Sequence, residues 1–86
     1  MGQVTLIGSD DSYAFDIDDS SRVVGAAGRG NEHHAVVWQD GRMIDLSTLG
    51  GPSEALATNR RGQIAGISSL GPLDVGPNHA VLWEDG

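Results

Sequence analysis

The sequence predicts an all-β protein built from two copies of one four-stranded antiparallel meander. Two observations carry this. Segments recur in the same order at a near-constant spacing, and the apolar residues come in short clusters bounded by Gly, Asp, Asn and Ser.

The recurrence is specific. Ser12, Ala14, Phe15, Val23 and Gly25 match Ser53, Ala55, Leu56, Ile64 and Gly66 at an offset of 41 (53 minus 12). His34-Ala35-Val36-Val37-Trp38-Gln39-Asp40-Gly41 matches His79-Ala80-Val81-Leu82-Trp83-Glu84-Asp85-Gly86 at an offset of 45 (79 minus 34). The four extra residues fall within residues 70–78, rich in Gly and Pro, where an insertion belongs in a loop. Two separated blocks matching in one order are hard to obtain by chance. Residues 1–86 thus form a single two-repeat unit. Within it, residues 1–11 hold a fourth strand for a neighbouring blade, 12–52 the first repeat, and 53–86 a second repeat lacking its fourth strand.

The elements follow in order. Tyr13, Phe15 and Ile17 alternate with Ala14, Asp16 and Asp18, the period of a half-buried strand. Residues 18–21, and 59–62 in the second copy, are polar turn residues. Residues 22–27 and 63–68 supply the second strand. Residues 35–38 and 80–83 are continuous apolar runs, expected of a strand covered on both faces. Asp40-Gly41 suits a type I′ hairpin, because both residues tolerate positive φ. Residues 43–47 form the fourth strand, with Ile44 and Leu46 on one face.

Four-stranded meanders repeated at this spacing describe the blades of a β-propeller. The alternative is a β-sandwich or barrel formed by both repeats within one chain. Residues 2–9 resemble residues 41–48 and read as a fourth strand. Two blades cannot close a ring, so that strand is expected to pair with residues 80–83 of another copy. Head-to-tail contacts of this kind close a homo-oligomeric ring of two to four chains, giving four, six or eight blades. The competing explanation is that the chain is a piece of a longer repeat protein.

Composition bounds the function. Thirteen Gly and three Pro in 86 residues fit tight turns rather than long helices. So small a chain buries a limited core, and with no Cys to form disulfides, association is the remaining support. A formal net charge of −7 and a pI of about 4.5 describe a soluble, self-repelling surface, with a cationic partner or metal as the minor reading. No run of Lys or Arg tracks a phosphate backbone, which argues against nucleic acid. No apolar stretch reaches the length of about twenty residues that spans a bilayer. No basic region followed by an apolar stretch marks a signal peptide at the start of this chain, and Leu6 breaks the myristoylation pattern that Met1-Gly2 opens.

At residues 34–41 and at Asp45-Leu46-Ser47-Thr48-Leu49-Gly50-Gly51, the chain resembles the HAF repeat family, named for a His-Ala-Phe sequence. The family pattern runs from a His-Ala-Phe-Leu-Trp strand through an Asp-Leu-Gly-Thr-Leu-Gly-Gly turn to a Ser-x-Ala segment, an Ile-Asn turn and a Gly-Gln-Val-Val-Gly strand. Ser53-Glu54-Ala55, Asn59 and Gly62-Gln63-Ile64-Ala65-Gly66 occupy its later part. Val36 and Val81 replace the family Phe, and Ser47 replaces a Gly. The resemblance covers nearly the whole chain. It implies a propeller-like architecture and an extracellular setting, and it brings no catalytic residues or cofactor.

The candidate sites are few. His33, His34 and His79 are the only histidines, and with neither Cys nor a His-x-x-x-His pair no metal site is expected of them. His34 and His79 hold equivalent positions on the strand face of Trp38 and Trp83, which suits a structural role in each blade. Trp38, Trp83, His34 and His79 are nonetheless the candidates for ligand binding, because indole faces stack on sugars. Asp10, Asp11, Asp16, Asp18 and Asp19 lack the Gly and distal Glu of a calcium loop, and residues 18–21 align with the turn at 59–62. Residues 25–30 sit between two strands and open no helix, so they make no phosphate loop. Ser12, Ser20 and Ser21 have no His and acid at motif spacing. No catalytic residue and no cofactor is therefore expected. The expected function is a non-catalytic propeller module that self-assembles and presents loops for binding. A lectin-like propeller taking a carbohydrate or small ligand is the alternative, and an enzyme with an inter-subunit site the third.

Overall fold

The computed structural model describes residues 2, 6–8, 11–28, 33–46, 51–69 and 78–84. They form two antiparallel sheets, with no helix and no closed barrel among the described residues. The first has four strands in sequence order: β1 (Ser12–Ile17), β2 (Val23–Ala27), β3 (His34–Gln39) and β4 (Arg42–Asp45). The second has three, again in sequence order: β5 (Ser53–Thr58), β6 (Ile64–Ser69) and β7 (Asn78–Trp83).

The two sheets pair in the same register. Ser12 faces Ala27 and Ala14 faces Gly25, as Ser53 faces Ser68 and Ala55 faces Gly66. Both first strands then bulge at the same place, between Ala14 and Asp16 and between Ala55 and Ala57. Val23 faces Trp38 as Ile64 faces Trp83. The turns after the first strands also coincide. Asp18 Oδ1 accepts from the N–H of Ser20 and Arg22, and Asn59 Oδ1 from those of Arg61 and Gln63. A short polar side chain that mimics a backbone turn explains why Asp and Asn stand there. Asp40 and Gly41 have φ of 54° and 78°, both left-handed as a type I′ hairpin requires.

Pairing fixes the faces, because successive residues of a strand point to opposite sides. Ala26, Val24, Ala35 and Val37 share the front of the first sheet; Val23, Gly25, Val36 and Trp38 share its back. Ala55, Ile64, Gly66 and Trp83 share the back of the second sheet; Ala65, Ile67, Ala80 and Leu82 share its front. The core forms where the back of the second sheet meets the front of the first. It joins Val24, Ala35 and Val37 to Ala55 and Ile64, with Leu46 and Trp83 packed against them. Ser53 secures the layer: its Oγ accepts the Ala35 N–H at 2.8 Å, while its own N–H reaches the His33 carbonyl.

Three details depart from the sequence reading. Tyr13, Phe15 and Ile17 are all exposed rather than lining one buried face. The bulge accounts for the lost common face: Tyr13 opposes Ala26 but Ile17 opposes Val23, an odd separation, so the two side chains lie on opposite faces. The fourth strand is Arg42–Asp45, with Leu46 following it into the core and Ile44 exposed. The continuous burial expected of the third strand holds for residues 35–38 of β3, whereas in β7 Ala80 and Leu82 are exposed, because no sheet among the described residues covers that face. Of the segment at residues 2–9 expected as a fourth strand, residues 3–5 and 9 lie outside the described residues, and residues 2 and 6–8 are not in a strand.

Candidate functional site

Trp38 sits on the back of the first sheet and is 6% exposed. Its burial there depends partly on residues distant in sequence. Gly8 lies so close that an added Cβ would stand 3.2 Å from Trp38 Cζ2. Leu6 and Ile7, with Trp38, help line an open hollow of about 380 Å3. Val23, the Asp40–Gly41 hairpin, Ser21, Gln39 and Arg42 complete its lining. The hollow therefore combines an aromatic edge and two exposed apolar side chains with hydroxyl, amide, carboxylate and guanidinium groups. That mixture suits a small polar molecule with an apolar face. The Trp38 Nε1–H is buried with no hydrogen-bond partner among the described residues, a donor that costs stability while it is unmet.

The other candidates lie apart from it. Trp83 is half-buried between the sheets, against Gly66, so the first sheet separates the two indoles. His34 shares the back face with Trp38 but is exposed at the start of β3. His79 is half-buried, and its Nε2 has no hydrogen-bond partner among the described residues. His33, on the approach to β3, stands 3.5 Å from the Glu54 carboxylate.

A second polar cluster, which sequence motifs do not announce, spans the two sheets. Asp18 Oδ2 takes the Arg22 Nε–H at 2.9 Å and the Thr58 hydroxyl at 3.1 Å. Arg22 Nη2 donates to Thr58 Oγ1 and to the Asn59 carbonyl, and Asp16 Oδ2 accepts the Thr58 N–H at 2.8 Å. Burial alone would raise the Asp18 pKa. The N–H groups of Ser20 and Arg22, the Thr58 hydroxyl and the Arg22 charge outweigh it and hold the carboxyl below its ordinary value. These bonds tie the first sheet to the second through Asp16, Asp18, Arg22, Thr58 and Asn59. Among the described residues no three His, Asp or Glu side chains gather as a metal site; Asp10 lies outside them.

No family model, no curated protein and no solved structure matches this chain. The likeness to HAF repeats therefore rests on the motifs themselves.

Proposed function

We propose that the chain is a non-catalytic β-propeller repeat module of the HAF type, which self-assembles and presents its turns and loops for binding. The observation that carries this reading is the shared register of the two sheets. The pairings, the bulge and the Asx turn coincide at an offset of 41, and the third-strand pairings at 41 and 45. Successive sheets then stack back-to-front, the relation that a ring of blades repeats until it closes. The engagement of Asp16 and Asp18 in hydrogen bonds between the sheets also favours a structural over a catalytic use of these acidic residues. Light scattering on the intact chain tests the proposal: a mass of two, three or four chains supports it, and a well-folded monomer at micromolar concentration refutes self-assembly. A turnover screen with hydrolase and transferase substrates tests the non-catalytic part, and activity that survives repurification would overturn it.

The hollow beside Trp38 favours one second reading, a site for a carbohydrate or comparable small polar ligand. The unmet Nε1–H is the specific reason. Titrating a glycan panel while following Trp fluorescence checks it, since a ligand taking that hydrogen bond would shift the emission.

A further inference from the structure

Thr58 marks where the two sheets lock together, and its equivalent on the first sheet is Ile17 (58 minus 41). Thr58 projects from the back of the second sheet into a socket on the front of the first, the face that carries Val24 and Val37, where it meets Asp16, Asp18 and Arg22. Ile17 projects from the back of the first sheet, is 61% exposed, and faces no second sheet among the described residues. The equivalent socket on the front of the second sheet is also open. It is a shallow hollow of about 140 Å3, lined by Ala57, Asn59, Gln63, Ala65 and Leu82 around the base of Thr58. At offsets of 41 and 45 these five stand for Asp16, Asp18, Arg22, Val24 and Val37.

The chemistry of each knob matches its own socket. The closed socket is charged and receives a hydroxyl that both accepts from Arg22 and donates to Asp18. In the open socket the ion pair is replaced by a neutral one: Asn59 Nδ2 donates to Gln63 Oε1 at 3.0 Å, and Gln63 Nε2 to Glu84. Those amides make hydrogen bonds within their own sheet, and Ala57, Ala65 and Leu82 leave the rest of the hollow apolar. The backbone matches too. The Thr58 N–H needs Asp16 across the interface, whereas the Ile17 N–H is taken by Asp16 Oδ1 of its own strand at 2.9 Å. Ile17 in the closed socket would leave unmet the bonds that Arg22 and Asp18 make to the Thr58 hydroxyl, and it suits the neutral one.

We infer that Ile17 of a second copy of this chain seats in the hollow at Ala57, Ala65 and Leu82, so that the intrachain stacking of sheets continues between chains, head to tail. The assignment rests on the self-assembly proposed above and names its interface. Leu6 and Ile7 agree with it. They stand beside Trp38 on the back of the first sheet, much as Leu46, from the end of a fourth strand, joins the core that Trp83 packs against. They thus lie where the fourth strand of the preceding blade belongs.

Sedimentation of the full chain tests the interface. Ile17→Arg removes the knob and Leu82→Arg fills the socket. Both positions are more than half exposed, so folding should survive, with circular dichroism as the check. Wild type should sediment at two or more times the 9.0 kDa of one chain, and each variant as a single chain. An equimolar mixture of the two variants should regain a one-to-one complex, because the knob of one meets the open socket of the other. Ile17→Thr, which carries the residue of the equivalent position, should weaken association at least tenfold with the fold unchanged. Wild-type assembly that persists in both Arg variants would overturn this interface and leave self-assembly standing. A monomeric wild type would overturn the proposed self-assembly and the interface with it.

Discussion

Arg22 of the first sheet and Thr58 of the second are joined directly, with Nη2 donating to Oγ1 at 3.0 Å. The same guanidinium holds Asp18 through Nε, and the Asp18 side chain is only 3% exposed. Removing Arg22 would leave that carboxylate buried without its charged partner. Arg22→Ala is therefore expected to cost about 1.5–3 kcal/mol in urea denaturation. The double variant with Asp18→Asn should cost clearly less than the two single losses added together, since the pair acts as one unit. Strict additivity would mean that the two side chains do not interact.

Asp18 also sets an acid limit. Its folded pKa lies below the ordinary 3.8, so the folded chain takes up this proton less readily than the unfolded one. For a depressed carboxyl, the stabilisation is complete above the unfolded value and is lost as pH falls through the folded value. The stability difference between wild type and Asp18→Asn should hold constant down to about pH 5 and shrink below 3.8. Chemical denaturation at several pH values measures it. A difference that shrinks near neutral pH instead would assign the effect to another group.

The strand order and the turns were legible because they rest on local chemistry that recurs in both copies. Asp18 and Asn59 close the same turn, and Asp40-Gly41 carries its own backbone preference. Alternation misled at β1, because one bulged residue at Phe15 reverses which side Ile17 faces, and nothing in the apolar pattern marks a bulge. The Arg22–Thr58 link was hidden for a different reason. Its members are residues at which the copies differ, Arg against Gln and Ile against Thr, so a search for recurrence passes over them. The hollow beside Trp38 depends on Leu6 and Ile7, whose approach follows from tertiary packing and not from any motif.

Gly25 and Gly66 are matched in structure as well as in sequence. A Cβ on Gly25 would collide with the Tyr13 carbonyl oxygen, and one on Gly66 with that of Glu54. Backbone cannot yield as a flexible side chain can, so Gly25→Ala and Gly66→Ala should each cost about 3 kcal/mol or more. Gly41 has open space around it and is constrained only by its φ of 78°. Gly41→Ala should cost about 1–2 kcal/mol, and Gly41→Asn should recover most of that, because Asn tolerates the left-handed region. Gly25→Asn should be worse than Gly25→Ala. Thermal melts of the five variants separate collision from backbone strain.

Trp38 decides between a core role and a ligand role for the hollow it borders. At 6% exposure the indole is part of the packing, and Trp38→Ala is expected to cost about 3–5 kcal/mol. Trp38→Phe separates the two contributions of the side chain. It keeps most of the apolar volume while removing the Nε1–H, which has no partner among the described residues. Losing an unmet buried donor relieves a cost, so the Phe variant should fall within about 1.5 kcal/mol of wild type. If the hollow holds a polar ligand through that N–H, the same variant should lose binding while keeping its stability. Trp83 provides the comparison, since it packs between the sheets, away from the hollow. Trp83→Phe should leave any binding at the hollow intact. Urea denaturation and glycan titration of the three variants read the two quantities independently. Near-normal stability in Trp38→Ala together with lost binding would move Trp38 from the core to the ligand site.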